Sequence, residues 1–140
     1  MPASRSGHCI GLPTVIGNDP AVLILGSFPS VQSLSTGRYY ANPQNQFWKI
    51  MQYLLGFDPD LPYRQRIQLL SDNHIALWDA VGSCLREGSA DNRIRKPVLN
   101  DIACLITSHP SIQLIACNGG ASAKYASKLR MPDSVETLRL

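Results

Sequence analysis

Several common chemistries find little to work with in this sequence. Its three histidines, His8, His74 and His109, stand in unrelated stretches, and its four cysteines, Cys9, Cys84, Cys104 and Cys117, form no Cys-x-x-Cys pair. A zinc ribbon, a dithiol redox site and a histidine-based hydrolase triad on Ser27 all lack the spacing they need. No Gly-rich phosphate loop is present, no apolar run reaches the length of a membrane span, and Met1-Pro-Ala-Ser-Arg5 carries no apolar targeting region. Charge is sparse at 16%, with a net value of +3 and a pI near 8.8. That is too mild to demand a nucleic-acid partner, yet it permits one, because phosphate contacts depend on local clusters more than on a total. These absences predict a reduced, cytoplasmic protein with no metal and no cofactor. Cys104 and Cys117 lie in apolar runs and are expected to serve as small core hydrophobes.

What the chain does have is enough apolar residue, 44% of 140, for one α/β domain over residues 1–140. Residues 1–20 read as an irregular lead-in. Ala21-Val-Leu-Ile-Leu25 is a continuous apolar run closed by Gly26, the pattern of a strand buried on both faces. Residues 26–44 form a long loop. Helical periodicity follows at Phe47, Ile50, Met51, Leu54 and Leu55, ended by Gly56, and Pro62 opens a second helix carrying Ile67 and Leu70 inward. Ile75-Ala-Leu-Trp78 is a second strand, Asp79 to Lys96 a second polar loop, and 98–108 a helix with Ile102, Leu105 and Ile106 on one side. Ile112 to Cys117 is a third strand, Asn118-Gly119-Gly120 a tight turn into a helix over Ala121 to Leu129, and Val135 to Leu140 a weaker fourth strand. The alternation predicts a three-layer α/β/α domain with a mostly parallel four-stranded sheet. Ligands of such sheets bind beyond the carboxyl ends of the strands, which points to the loops at Gly26 to Asn45, Asp79 to Lys96 and Asn118 to Gly120.

The first loop concentrates chemistry. Small hydroxyls at Ser27 and Ser30 can hold a polar base edge, and the aromatics of Tyr39-Tyr-Ala-Asn-Pro-Gln-Asn-Gln-Phe-Trp48 offer faces for nucleobase stacking, each worth about 1–3 kcal/mol. Phe47 and Trp48 can equally be core anchors, and Asn45 a helix cap. Asp79 reads as an acid-base group or as a loop cap. Arg86, Arg93, Arg95 and Lys96 oppose Glu87 and Asp91, leaving an excess of two positive charges that suits a DNA backbone or a solvated surface.

Leu-Ile-Leu-Gly-Ser-Phe-Pro-Ser at 23–30, with the 39–50 block ending Phe-Trp-Lys-Ile, resembles the uracil-DNA glycosylase superfamily, most closely its deoxyinosine (hypoxanthine) branch. The mismatch-specific G:T/U glycosylases are similar over the second block. The resemblance continues through Leu77 to Ser89, Asp91, Ile94 and Asn118-Gly-Gly, and covers about residues 12–130. It implies a monofunctional DNA glycosylase that flips a deaminated base out of the duplex and hydrolyses its N-glycosidic bond without a metal. Hypoxanthine, uracil and xanthine are the bases in question, and the enzyme would act on DNA as a monomer. Related branches carry an acidic or amide residue where this chain has Phe28. By resemblance the catalytic role passes to Asn45, with Asn118 as second candidate. The pocket would comprise Gly26, Ser27, Phe28, Pro29, Ser30, Tyr40 and Phe47, with Phe28 or Tyr40 stacking on the base; Arg86, Arg93, Arg95 and Lys96 would meet the DNA backbone. Asn42 replaces a histidine found in many relatives. Some thermophilic relatives hold an iron–sulfur cluster, but the paired N-terminal cysteines it needs are absent here. The family's second motif, a Pro-Ser-rich loop, is expected just where Leu138-Arg-Leu140 ends, so the domain is expected to lack it. Two other readings stay open: a DNA- or base-binding module of this fold with little or no turnover, and an unrelated α/β nucleotide-binding protein.

Overall fold

The structure, a computed structural model, describes residues 7–58, 60–129 and 131–140. The part of the irregular lead-in at 1–6 lies outside the described residues. The central element is β2, Val22–Gly26, which pairs in parallel with β3, Ile75–Asp79, on one side and with β6, Leu114–Cys117, on the other. β7, Glu136–Arg139, extends the sheet beyond β6, giving the order β3-β2-β6-β7. All three pairings are parallel.

Two-sided burial follows from the alternation of side chains along each strand. Leu23 and Leu25 of β2, with Ile115 and Cys117 of β6, face one layer. There they meet Ile102 and Ile106 of α4, Ile102–Ser108, and Ala126 of α5, Gly120–Ala126. Ile24, Leu77 and Ala116 face the other layer, against Phe47 of α2, Phe47–Leu55, and Leu70 of α3, Tyr63–Asp72. The expected three-layer arrangement is therefore present.

Several expectations need correction, beginning with the irregular lead-in, which contains a short strand at His8–Ile10. The loop at 26–44 contains a short helix, α1, Val31–Thr36, capped by the Ser30 hydroxyl accepting from the Ser33 N–H and ended by Gly37. The loop at 79–96 contains a strand and the start of another. β4, Val81–Leu85, pairs antiparallel with β1, His8–Ile10, and with β5, Arg95–Leu99, in a second sheet of order β1-β4-β5. Register shifts between Val81 and Leu85 blur the alternation that marks a strand. Every residue of β5 is exposed, so no apolar face announces it, and its presence moves the start of the following helix from 98 to Ile102. Cys104 is exposed rather than a core residue, because α4 buries Ile102 and Ile106, four apart, and Cys104 lies off that face. On α2, Phe47 is buried and Met51 and Leu55 pack inward, whereas Ile50 and Leu54 lie on an exposed shoulder.

Candidate active site

Chain order reverses across β2: one connection leads to β3 at the edge and the next crosses to β6 on the opposite side. At this switch point, beyond the carboxyl ends of β2, β3 and β6, lies a cleft of about 490 Å³. Gly26, Ser27, Phe28, Pro29, Ser30, Tyr40, Asn45, Phe47 and Asn118 all line it, so three separate stretches of chain meet in one hollow. Open parallel sheets gather ligands there because strand ends fan apart and leave loop backbone groups unpaired.

Tyr40 forms the aromatic wall. Its ring stacks on Phe47 at 4.1 Å between centroids and 22° between planes, and both residues line the cleft. Its backbone is left-handed, with φ of 55°, a conformation costing an aromatic residue about 1 kcal/mol or more. Its neighbours hold it there. The Tyr39 N–H donates to the Tyr63 hydroxyl at 2.9 Å, Trp48 Nε1–H donates to the Tyr39 carbonyl at 2.9 Å, and the Ala41 N–H donates to Ser33 Oγ at 3.0 Å. Trp48 thus acts as an anchor of the pocket wall, through its indole N–H, rather than as a stacking face in the cleft.

Asn45 serves both readings at once. Its Oδ1 accepts from the Phe47 N–H at 2.8 Å, which holds the α2 start and fixes the amide plane. A second lone pair on Oδ1 and both Nδ2 hydrogens remain for a water or a base. Asn118 follows β6 with its N–H donating to the Leu25 carbonyl at 2.8 Å, and Gly119 behind it has a φ of +106° that a side chain would strain. Ser27 Oγ donates to Asp91 Oδ1 at 2.7 Å. Ser30 is engaged as the α1 cap.

Two carboxyl groups enter the cleft, Asp79 and Asp91. Asp79 is 4% exposed, and its Oδ2 has no hydrogen-bond partner. Burial pushes its pKa up to about 7, the negative charge of Asp91 adds to the rise, and the Arg86 guanidinium opposes it. Gly26 is needed beside it: a Cβ there would collide with Asp79 Oδ1 and come within 3.2 Å of the Tyr40 hydroxyl. That hydroxyl is buried beside Asn118 without a bonded partner, and burial followed by the Asp79 charge raises its pKa. The sequence marks Asp91 as a counter-charge and as part of the family resemblance, but not as a residue of the pocket. The turn preceding β5, Asp91–Arg93, carries it into the cleft, and a long-range contact of this kind leaves no local signal.

Arg86 requires a correction. It is 4% exposed, its guanidinium covers the Phe28 ring at 4.9 Å, and its Nη2 donates to the Pro29 carbonyl. A side chain so enclosed braces the first loop and does not reach a DNA backbone. Arg93, Arg95 and Lys96 are exposed. The second loop is tied to the first at two further points, Ser27 to Asp91 and the Val31 N–H to Ser89 Oγ at 2.9 Å.

Residues 13–138 match the family model of the uracil DNA glycosylase superfamily. The chain belongs to that superfamily. Two curated relatives, each called hypoxanthine DNA glycosylase, come from Methanosarcina acetivorans, 36% identical over 121 residues, and Methanosarcina barkeri, 35% identical over 121 residues. Both alignments cover 86% of this chain and 77% of the relative. A solution NMR structure of a candidate uracil DNA glycosylase from M. acetivorans superposes with a TM-score of 0.83 at 35% identity, covering 95% of this chain and 83% of that one. A uracil DNA glycosylase fold thus builds the cleft. No helix among the described residues is long and apolar enough to cross a membrane.

Proposed function

We infer that this superfamily member is a DNA repair glycosylase that removes a deaminated base, hypoxanthine foremost, from DNA. The observation that carries the chemistry is the meeting of a stacking face, Tyr40 on Phe47, with two side-chain amides, Asn45 and Asn118, in one cleft at the switch point of the sheet. The names of the two Methanosarcina relatives support the choice of base.

In this reading the target nucleotide leaves the duplex and its base stacks on Tyr40. Asn118 and the free hydrogens of Asn45 Nδ2 donate to the base, stabilising the charge it gains as the glycosidic bond lengthens. The remaining Oδ1 lone pair of Asn45 orients a water toward the sugar. That water's oxygen bonds to C1′, the bond from C1′ to the base breaks, and one water proton leaves with the base or to solvent. No lysine lines the cleft among the described residues, so the products are a free base and an intact strand with an abasic site, not a Schiff-base cleavage. Ser27, Phe28, Pro29 and Ser30 shape the pocket edge, and Arg93, Arg95 and Lys96 face the phosphates. We propose that it acts as a monomer in the cytoplasm on DNA there.

Labelled duplexes carrying a single inosine, xanthosine or uracil, incubated with the chain and then treated with alkali, test the reading. Strand breakage at inosine is expected. Absence of breakage on all three substrates would overturn it.

A further inference from the structure

The segment 39–45 that walls the base cleft has a second hollow behind it, of about 410 Å³, and Tyr39, Tyr40, Asn42 and Asn45 line both. Its character is different. Arg38, Lys49 and Arg66 line it together with Trp48, Tyr63 and Phe57, and no carboxylate among the described residues does. The Arg66 guanidinium lies 4.8 Å over the Trp48 ring and 5.7 Å over Tyr63, and that of Arg38 lies 5.5 Å over the same Tyr63 ring. Two like charges therefore share one aromatic ring. Burial lowers the Arg66 pKa, the Arg38 charge lowers it further, and only Tyr63 works the other way. Arg66 Nε is buried without a hydrogen-bond partner.

Guanidinium groups held against ring faces present their N–H edges outward, in the fork that matches a phosphate. With no acidic side chain among the described residues of the hollow to answer them, the remaining demand of the site is for an anion. We propose that this hollow is a phosphodiester subsite that takes a backbone phosphate flanking the nucleotide in the base cleft. The proposal rests on the DNA glycosylase reading, since the shared wall makes the two hollows neighbours along one bound strand. It assigns the DNA a contact on the α2–α3 side of the cleft, across the 39–45 wall from Ser89 and Asp91. The same rings that carry the two arginines anchor Tyr39, through Trp48 Nε1 and the Tyr63 hydroxyl. A phosphate seated here would therefore brace the segment that carries Tyr40 and Asn45.

Inosine duplexes with a single neutral methylphosphonate at successive positions around the lesion test it, compared between the unaltered chain and Arg38→Gln/Arg66→Gln. For the unaltered chain, one position is expected to raise KM about tenfold or more with the saturating rate little changed. The double variant is expected to show a KM raised by a similar factor already on the unmodified duplex, no further loss at that position, and a salt slope of log K smaller by about 1 to 2. A variant that binds like the unaltered chain, or that remains sensitive at every position, overturns the subsite. Binding of a duplex containing an abasic-site analogue repeats the comparison without turnover. Failure of excision thereby tells against the glycosylase reading, while intact binding with an unchanged slope tells against the subsite alone. Inorganic phosphate that raises the melting temperature, with no positional effect on DNA, marks a free-anion site and also overturns the proposal. Should the double variant fail to fold, exposed Arg38→Gln alone reads part of the same loss.

Discussion

Tyr40 takes a left-handed backbone because hydrogen bonds on both sides, from Tyr63, Trp48 and Ser33, leave it no easier conformation. Strain over-determined in this way belongs to sites where a side chain must point in one direction. Asn45 combines a helix-start bond with a free amide edge, and its two tasks can be separated. Asn45→Ala is expected to lower single-turnover excision of inosine by about 100-fold or more and to destabilise by about 1 kcal/mol through the lost cap. Asn45→Asp keeps the acceptor for the Phe47 N–H, so it should retain the stability and still lose most of the rate; thermal melts beside kinetics distinguish the two. Asp79 makes a prediction of its own. With its pKa raised from 3.8 to about 7, the folded chain keeps a proton that the unfolded chain has already released between these values. Stability should accordingly fall as pH rises from about 4 to about 7 and stay low above that. Asp79→Asn cannot ionise, so its melting temperature relative to the unaltered chain should climb between pH 5 and pH 8. A difference that does not vary with pH would contradict the buried carboxyl. The polar residues Asn45, Asn118 and Ser27 are legible in the sequence because they sit directly at element ends, where local pattern marks them. Asp91 is not, because only the fold of the second loop brings it to Ser27.

At the scale of elements, the buried parallel strands are legible because Ala21 to Leu25 and Ile112 to Cys117 are continuous apolar runs. The second sheet is hidden for the opposite reason. β4 is irregular in register and β5 is exposed throughout, so neither shows a period-2 apolar face. Its function in the molecule is to carry Arg86, Ser89 and Asp91 against the first loop. Arg86 is a positioning residue in this scheme, acting through Phe28 and Pro29 and through its charge on Asp79. Arg86→Met should raise the Asp79 pKa further, moving the pH dependence of stability to higher pH, while KM for an inosine duplex rises more than the saturating rate falls. A KM and a pH profile both unchanged would remove Arg86 from the site's support. Gly26 is the other element-level constraint, at the end of β2. Gly26→Ala would force its methyl onto Asp79 Oδ1, with an expected loss of about 1–3 kcal/mol in stability and a strongly reduced excision rate. Chemical denaturation of this variant beside Asp79→Ala/Gly26→Ala, in which the side chain that the methyl meets is removed, tests whether the carboxyl is the obstacle.

Across the whole molecule, a sheet buried on both faces leaves its switch point as the place where loops from β2, β3 and β6 converge, and the chain puts its amides, hydroxyls and stacked rings there. The modest charge of +3 is unevenly distributed. Arg38, Lys49 and Arg66 gather in one hollow that no carboxylate among the described residues lines, whereas Arg86, counted from sequence as part of the DNA surface, is enclosed. Composition reveals the total but not this partition, because burial decides which charges face a ligand. The central claim is that this cleft hydrolyses the glycosidic bond of a flipped hypoxanthine through Asn45 and Asn118. It is tested most directly by single-turnover release of free hypoxanthine from an inosine duplex, quantified chromatographically for the unaltered chain, Asn45→Ala and Asn118→Ala. Release of free base by the unaltered chain, reduced by about 100-fold or more in Asn45→Ala and clearly slowed in Asn118→Ala, is the predicted result; equal release by all three, or none by the unaltered chain, would contradict the account.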